Sequence, residues 1–457
     1  MRRPLLATIV VPLLLAAACG TGGSAGDPAG IPPTTNADRH ASAPLGPDDW
    51  PTYHRDNART GFVPAFPAPA NPAVAWRAGL DGAVYGQPLV VGGRVLVATE
   101  NDTLYALDPA TGAVRWSTHV GTPVAKSTLP CGNIDPLGVT GTPVYDPATS
   151  RVFAVAETTG GRHELVGANV DTGRIEVRVE VEPPRGDRTV HQQRAALTVL
   201  NDRVHIAYGG LYGDCGDYFG TVVSVSTAGT DPRSYTVPTS REAGIWAPGG
   251  AVVDGERLLY SIGNGEATSS FDDSDSVTAL DANLRRVDLF APATWAEDNR
   301  KDLDLGSGGP TLLGPWVLMA GKSGTGYVLD RNRLGGIGGQ RGQGSVCKSY
   351  GGSAVAGDTA YLPCLDGPRA VTVGADGTPS VRWKAAVPAN GSPVVGGDAV
   401  WVPDWRAGVL YALDRATGAV RAQVAVGQLP HFASPTLSGR RVYLGTMSGV
   451  VAVDAAR

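Results

Sequence analysis

The chain lacks the motifs that mark several common classes of enzyme and binding protein. Among its 457 residues, 18% are charged and 7% are aromatic, and the formal net charge is −5. No stripe of lysine and arginine with interleaved aromatics occurs, so we expect no binding to nucleic acid. P-loop, nucleophile-elbow and dinucleotide-binding glycine motifs are missing, as are CxxC pairs, clustered histidines and the CxxCH haem-attachment motif. These absences argue against nucleotide-dependent, serine-hydrolase, zinc-dependent and haem-dependent functions.

Long apolar runs are also scarce. The clearest run spans residues 5–15, follows two arginines, and precedes the sequence AAAC at residues 16–19. A charged start, a short apolar stretch and small residues before a cut site predict an export signal over residues 1–18. The run is too short for a comfortable membrane span.

The cysteine that ends this run gives the signal a more specific meaning. It resembles a bacterial lipobox, with Ala16 where leucine is usual, and we therefore expect Cys19 to carry a lipid. An ordinary secretory signal with an incidental cysteine is the alternative. Residues 19–47 contain few large hydrophobic side chains, so they predict a flexible tether. The expected product is an exported globular body, residues 48–457, held to a membrane by its lipid and facing away from the cytoplasm.

The five cysteines fit an oxidising compartment. With Cys19 as the lipid anchor, four remain, which is enough for two disulfides. Cys347 and Cys364 flank one strand hairpin and form the first predicted pair, which leaves Cys131 with Cys215. Four reduced thiols in the core are the alternative.

Glycine and proline, in contrast, are abundant at 62 and 35 residues. They occur at the turns of a sequence unit that is repeated about eight times. Each copy has a Gly-x-Pro-like opening, short apolar runs and often an Asp-x-x-Thr-Gly turn. Its clearest copy is GQPLVVGGRVLVATENDTLYALDPATGAVRW at residues 86–116. Such repeats of three or four short strands predict a β-propeller, because each unit buries its apolar face only against its neighbours.

The two ends of the repeat region predict how the ring closes. The last unit stops at residues 451–454 without its outer strand, and an unassigned strand, Val74-Ala75-Trp76-Arg77, precedes the first full unit. Pairing the two would remove both free sheet edges. The sequence therefore predicts an all-β, eight-bladed propeller of four-stranded blades as one domain over residues 48–457, and we expect a monomer.

These motifs resemble the PQQ-type β-propellers, a family with quinoprotein alcohol dehydrogenases and a non-enzymatic propeller of the outer-membrane assembly machinery. The resemblance covers nearly all of residues 48–457. It depends on the Ala-x-Asp-x-x-Thr-Gly-x-x-x-Trp turn and on three further segments: DWPTY at residues 49–53, RTG at 59–61, and AGKSG at 320–324 leading to YVLDR at 327–331.

The resemblance implies a set of site residues. Trp246 matches the tryptophan that supports the planar cofactor, Lys322 the cation on the quinone, and Asp304 or Asp302 the general base. Asn264 matches a calcium ligand, and Asp304 would be another. The calcium glutamate has no clean counterpart, with Asp214 or Asp217 the nearest carboxylates, and the family's adjacent-cysteine disulfide is missing. Arg194, near the start of the third blade, is a further candidate contact for an anionic ligand.

Each of these side chains also has a purely structural interpretation: blade packing for Trp246, a left-handed turn for Asn264, a solvated loop for Asp302 and Asp304, a turn lysine for Lys322, and an ion pair for Arg194. Two functions therefore remain open. The sequence favours a membrane-anchored binding or scaffold module whose mouth takes a small molecule or a protein partner. The alternative is a PQQ- and Ca²⁺-dependent alcohol dehydrogenase.

Overall fold

The computed structural model describes residues 45–457, which fall within one compact unit. The predicted signal peptide, Cys19 and most of the predicted tether lie outside the described residues. Eight sheets, each built on four antiparallel strands, form an eight-bladed β-propeller; three sheets take up a short fifth strand, and in seven blades the four strands follow one another in the sequence. Over the described range, no helix is long and apolar enough to cross a membrane. The predicted fold class is confirmed.

The eight blades begin at the eight repeat openings that the sequence marks. Blade 1 has Leu89–Val91, Arg94–Ala98, Thr103–Leu107 and Val114–His119. Blade 2 has Val144–Asp146, Arg151–Thr158, Arg162–Asn169 and Ile175–Glu180. Blade 3 has Thr198–Leu200, Arg203–Gly210, Thr221–Ser226 and Arg233–Thr236. Blade 4 has Val252–Asp254, Arg257–Ile262, Ser276–Leu280 and Arg286–Ala291. Blade 5 has Thr311–Leu313, Trp316–Ala320, Thr325–Asp330 and Gly342–Ser345. Blade 6 has Ala354–Ala356, Thr359–Leu362, Arg369–Val373 and Pro379–Lys384. Blade 7 has Val394–Gly396, Ala399–Asp404, Val409–Asp414 and Val420–Ala425. Blade 8 has Thr436–Ser438, Arg441–Thr446, Gly449–Asp454 and, from the other end of the chain, Ala73–Gly79.

Ring closure occurs as the sequence predicts. The strand Ala73–Gly79 pairs antiparallel with Gly449–Asp454, the last strand of the chain. The N-terminal strand thereby becomes the fourth strand of blade 8 and covers an edge that would otherwise be free.

Outside the blades, regular structure is sparse. Short additional strands lie at Phe62–Val63, His191–Gln192 and Gly336–Ile337. A single α-helical segment among the described residues spans Trp295–Lys301, and 3₁₀ turns lie at Lys126–Thr128, Arg188–Val190 and Leu305–Ser307.

Tryptophans at the ends of blades dock on the turn of the following blade. The indole N–H groups of Trp76, Trp116 and Trp383 each donate to a backbone carbonyl of that turn, at 3.0 Å in all three cases. The glycine of the turn lies under the indole; at Gly418, a Cβ would come within 2.6 Å of Trp383. The Thr-Gly turn and the terminal tryptophan of the repeat therefore serve one purpose, which is packing between blades.

The segment before the first blade lines the centre of the ring. Residues 50–63 make hydrogen bonds to the first-strand regions of blades 1, 2, 3, 4, 6, 7 and 8. The buried Arg59 donates to Leu197 and Thr198 of blade 3 and to Ala251 at the start of blade 4. Tyr53 stacks on His54, with ring centroids 4.2 Å apart. This segment therefore ties seven of the eight blades together.

Both predicted disulfides are present. Cys131 bonds to Cys215, and Cys347 bonds to Cys364. The second pair joins the connection after blade 5 to the second strand region of blade 6, as its position around one hairpin implies.

Candidate functional site

In each blade the first and second strands run antiparallel, so the start of the first strand lies beside the end of the second. The segments before the first strands and those after the second strands therefore meet at one edge of the ring. Trp246 precedes blade 4, and Asp304 precedes blade 5. Asn264 and Lys322 follow the second strands of the same two blades. The predicted residues therefore converge on one edge, which we call the mouth and define by Arg194, Trp246, Asp304, Lys322 and Phe432.

Asp304 is the most constrained residue of the mouth. Its side chain is only 3% exposed, and one carboxylate oxygen lies 2.7 Å from the Lys322 ammonium. The other oxygen accepts the backbone N–H of Asn264. Burial raises the pKa of Asp304, while the charge of Lys322 opposes that shift. The result is a carboxylate that is more basic than usual and is held in a fixed orientation.

Lys322 links this carboxylate to the tryptophan. Its ammonium lies 5.9 Å from the centroid of the Trp246 ring, within the range of a cation–π contact. It also pairs with Asp302 at 2.5 Å. Although burial acts in the opposite direction, the charges of Asp304 and Asp302 raise the pKa of Lys322, so the side chain stays cationic.

Asp302 differs from Asp304 in its environment. Its side chain is 66% exposed, and its backbone is left-handed at the end of the short helix, with φ of 52°. The structure thus distinguishes the two aspartates that the sequence left as alternatives: Asp304 faces the mouth from a buried position, and Asp302 lies at its rim.

A third carboxyl group, Asp275, lies behind Asp304. It is fully buried, and its Oδ1 atom accepts the backbone N–H of Leu305, the residue after Asp304. Burial first, and then the charge of Asp304, raise the pKa of Asp275 well above its ordinary value. Asp275 is therefore expected to be a neutral acid that fixes the backbone beside Asp304. In the sequence it ends the acidic run Asp272-Asp273-Ser274-Asp275, which carries no motif of the family.

Trp246 also contacts a residue that the sequence did not suggest. The ring of Phe432, from the connection before blade 8, lies 6.1 Å from the Trp246 ring at an interplanar angle of 45°. The Arg194 guanidinium lies 4.7 Å from the centroid of the Phe432 ring. Arg194 thus belongs to the same group of residues as Trp246, through Phe432.

The predicted calcium carboxylate Asp217 lies in the connection between the second and third strands of blade 3. Its side chain is exposed, and its backbone carbonyl accepts the N–H of Asp187. Glu242 is nearer, because it forms a β-bridge with Gly265, next to Asn264. Burial raises the pKa of Glu242 to about 7, and the charges of Asp214 and Asp304 contribute, against the opposing charge of Arg241. No repeat motif marks Glu242, so sequence analysis missed it.

The mouth fits the two groups implied by the family resemblance unequally. A planar, anionic ring system has an indole face at Trp246 and cations at Lys322 and Arg194. Calcium takes about six to eight oxygen ligands. Across the described part of the chain, no group of three or more His, Cys, Asp or Glu side chains is placed to hold a metal ion. Asp304 is moreover already paired with Lys322. The residues present do not complete a calcium site.

Comparisons with known proteins agree with the architecture. Residues 69–283 match the family model PQQ_2, described as outer membrane protein assembly factor BamB. A polyvinylalcohol dehydrogenase from Sphingopyxis sp. (strain 113P3) is 24% identical over 282 residues, which are 55% of this chain and 40% of that protein. The chain thus spans less than half the length of this curated relative.

Solved structures share the fold at low identity. A quinohemoprotein alcohol dehydrogenase, ADHIIG from Pseudomonas putida HK5, superposes with a TM-score of 0.70 at 14% identity, covering 90% of this chain and 80% of that one. A europium-containing methanol dehydrogenase gives 0.69 at 14% identity, covering 89% and 98%. BamB from Moraxella catarrhalis gives 0.56 at 17% identity, covering 84% and 97%. The predicted resemblance to the PQQ-type propellers is confirmed.

Proposed function

We propose that this PQQ-like β-propeller binds a planar, anionic quinone of the PQQ class at its mouth and oxidises an alcohol. The observation that carries the proposal is the Lys322–Asp304 pair beside the Trp246 indole, with the ammonium 2.7 Å from the carboxylate. Buried ion pairs contribute little net stability relative to apolar packing, so a pair held beside a half-buried tryptophan favours a role in ligand binding. The polyvinylalcohol dehydrogenase match and the two dehydrogenase structures support the proposal.

Each residue has a defined role in this proposal. Trp246 supports one face of the ring system, and Lys322 pairs with its carboxylate or carbonyl oxygens. Asp304 accepts the proton of the alcohol hydroxyl at the carboxylate, because burial makes it a stronger base while Lys322 keeps it ionised. When bound, the quinone supplies the two-electron acceptor for oxidation of the alcohol carbon. No step is assigned to calcium, since its ligand set is incomplete.

The test is alcohol-dependent reduction of a dye by the purified protein after addition of PQQ. Asp304→Asn is expected to abolish turnover, because the amide cannot accept the proton. The matched control is Asp302→Asn, two residues away and exposed, which is expected to retain most of the activity. Equal loss in both variants would contradict the role of Asp304. No turnover in the wild type with a range of primary and secondary alcohols would contradict the dehydrogenase.

The incomplete calcium ligand set favours a second candidate, a binding or scaffold module at the same mouth. The match of residues 69–283 to the BamB family model supports this candidate as well. It predicts that the protein fails to bind PQQ at micromolar concentration. It also predicts that Asp304→Asn has no effect on alcohol oxidation by cells that make the protein.

Export and lipid anchoring form a separate part of the proposal. The two disulfides support residence in an oxidising compartment. Metabolic labelling with a fatty acid tests the anchor: Cys19→Ser is expected to lose the label and to release the protein from the membrane fraction. Unchanged labelling in that variant would contradict lipidation at Cys19.

A further inference from the structure

Two buried carboxyl groups at the junction of blades 1 and 2 lack hydrogen-bond partners for most of their oxygens. Glu100 and Asp102 follow the second strand of blade 1, and their exposed fractions are 2% and 0%. Within residues 45–457, neither oxygen of Asp102 and only one oxygen of Glu100 accepts a hydrogen bond. Buried polar atoms are nearly always bonded, so unpartnered carboxylate oxygens at this depth indicate a bound ion or water.

The two groups meet at Gly138, in the connection before blade 2. The Gly138 N–H donates to the Oε2 atom of Glu100 at 2.8 Å. A Cβ atom at Gly138 would lie 2.3 Å from the carbonyl oxygen of Glu100 and 2.8 Å from the Oδ1 atom of Asp102. That carbonyl oxygen also accepts no hydrogen bond from the described residues. Unpartnered oxygens therefore converge beside a residue that has no side chain.

A third acid nearby already has its counter-charge. Glu157, in the second strand of blade 2, has a carboxylate oxygen 3.7 Å from the Nε2 atom of His163. Although burial acts in the opposite direction, Glu157 and Glu182 raise the pKa of His163 to about 9, so the imidazole is cationic. The unpaired negative charge is therefore confined to Glu100 and Asp102.

The neighbouring arginines are engaged elsewhere. Arg178, whose charge reaches Asp102, donates to the carboxylate of Glu164 and to a backbone carbonyl. Arg194, whose charge reaches Glu100, donates to a backbone carbonyl before blade 8. Burial accordingly raises the pKa of both carboxyl groups to about 8. Two such acids are neutralised either by two protons or by one divalent cation.

We propose that this site binds Ca²⁺, with the Asp102 carboxylate and the carboxylate and carbonyl oxygens of Glu100 as its protein ligands. Calcium takes hard oxygen ligands of these types, and water completes its coordination. Its bonds of about 2.3–2.6 Å can span the Glu100 carbonyl oxygen and the Oδ1 atom of Asp102, which are at most about 5.1 Å apart. Only two acidic side chains contribute, in keeping with the lack of any three-residue group over residues 45–457.

The role of the ion is structural. Glu100 and Asp102 belong to the turn after the second strand of blade 1, whereas Gly138 belongs to the connection that the Cys131–Cys215 disulfide joins to blade 3. Calcium sites of extracellular modules have dissociation constants of about 10⁻⁴–10⁻³ M. An ion that binds only the folded protein stabilises it once its concentration exceeds that value. We therefore expect calcium to raise the Tm.

Thermal unfolding and calorimetric titration of the purified, chelator-treated protein test the proposal, with CaCl₂ as the only added ligand. Both are run at about pH 8, because the metal must displace protons from these carboxyl groups. We expect one calcium site per chain and a Tm higher by about 2–5 °C at about 10 mM CaCl₂. Sodium chloride at the same ionic strength is expected to give no comparable rise.

Substitutions locate the site. Asp102→Asn and Glu100→Gln are each expected to weaken calcium binding at least tenfold and to lose the rise in Tm, because each removes a charged ligand. The matched control is Asp146→Asn in blade 2, a buried aspartate whose two oxygens accept hydrogen bonds from Ala148 and Thr149. It is expected to keep the full response to calcium. Asp304→Asn should keep it as well, since Asp304 precedes blade 5.

The outcomes separate this inference from the proposed function. An unchanged Tm with no heat of calcium binding in the wild type would overturn the inference, as would a full response in both Asp102→Asn and Glu100→Gln. A response lost in Asp304→Asn alone would place calcium at the mouth and overturn it too. Because PQQ is absent from these experiments, the proposed dehydrogenase is decided by its own assay.

Discussion

Lys322 and Asp304 contact each other twice. The backbone N–H of Lys322 donates to the Asp304 carbonyl at 2.8 Å, and the side-chain ammonium lies 2.7 Å from the Asp304 carboxylate. The two residues flank the first hairpin of blade 5, one before its first strand and one after its second. The hairpin therefore sets the spacing of the ion pair, and the pair needs no flexible loop to form.

Removing the lysine should leave the buried carboxylate without its partner. We expect Lys322→Met to lower the free energy of unfolding by about 1–3 kcal/mol, the usual cost of an unsatisfied buried group. The double variant Lys322→Met/Asp304→Asn should recover part of this loss, because a neutral amide needs no counter-charge. Chemical denaturation measures both effects, with Lys348→Met at an exposed lysine as control. A double variant less stable than Lys322→Met would contradict the pairing.

Asp275 should behave as a neutral acid at pH 7. Since burial and the nearby Asp304 raise its pKa well above the ordinary value, Asp275→Asn removes no charge and keeps the acceptor for the Leu305 N–H. We expect a cost below about 1 kcal/mol for Asp275→Asn and about 1–3 kcal/mol for Asp275→Ala, which loses the acceptor. Urea unfolding at pH 7 compares the two. Equal destabilisation would show that an ionised carboxylate is required.

Two buried acids near the start of blade 2, Glu100 and Asp102, should make stability depend on pH. The pKa of each is raised to about 8, mainly by burial; hydrogen bonds from Gly138 and Thr140 oppose the shift at Glu100, and the charges of Glu100 and Glu157 add to it at Asp102. The folded protein then binds more protons than the unfolded chain between about pH 4 and pH 8, so the free energy of unfolding should fall as pH rises through this window.

The variants Glu100→Gln and Asp102→Asn should each flatten that slope, because an amide does not titrate. Unfolding curves at several pH values between 4 and 9 measure the effect. A slope unaffected by both substitutions would show that these carboxyl groups are ionised in the folded protein.

The packing of tryptophans between blades can be tested by substituting the turn glycine that lies against the indole. Gly418 has φ of +72°, and a Cβ there would lie 2.6 Å from the Trp383 ring. Gly439 has a similar φ of +59° with no atom in the way. In both alanine variants the left-handed conformation should lower the free energy of unfolding by about 1 kcal/mol. Gly418→Ala should cost about 1–3 kcal/mol more, since it displaces the indole. Equal Tm values for the two variants would mean that the indole moves freely.

The sequence predicts the architecture well because the repeat is local. Each opening precedes a first strand, and the unassigned strand at Trp76 finds its partner because only one unit lacks an outer strand. The two disulfides follow from the cysteine count, because pairing Cys347 with Cys364 around one hairpin leaves Cys131 with Cys215.

The mouth was predicted only in part, since its contacts are not local. Trp246, Asp304 and Lys322 carry family motifs, and they come together in the structure. Phe432 lies in an irregular connection, and its contact with Trp246 joins positions far apart in the chain. Asp275 carries no motif in the sequence, and only the fold shows that it is buried and accepts the N–H of Leu305, thirty residues away.

The most direct measurement is calorimetric titration of the purified protein with PQQ, in the wild type and in Trp246→Ala and Lys322→Met. The account predicts one site per chain in the wild type, with affinity lowered at least tenfold in each variant. Because the Trp246 indole is partly buried, thermal unfolding is measured for each variant, and the titrations are run well below the lowest Tm. No heat of binding in the wild type, or equal affinity in all three proteins, would contradict the claim that this mouth holds a planar, anionic quinone.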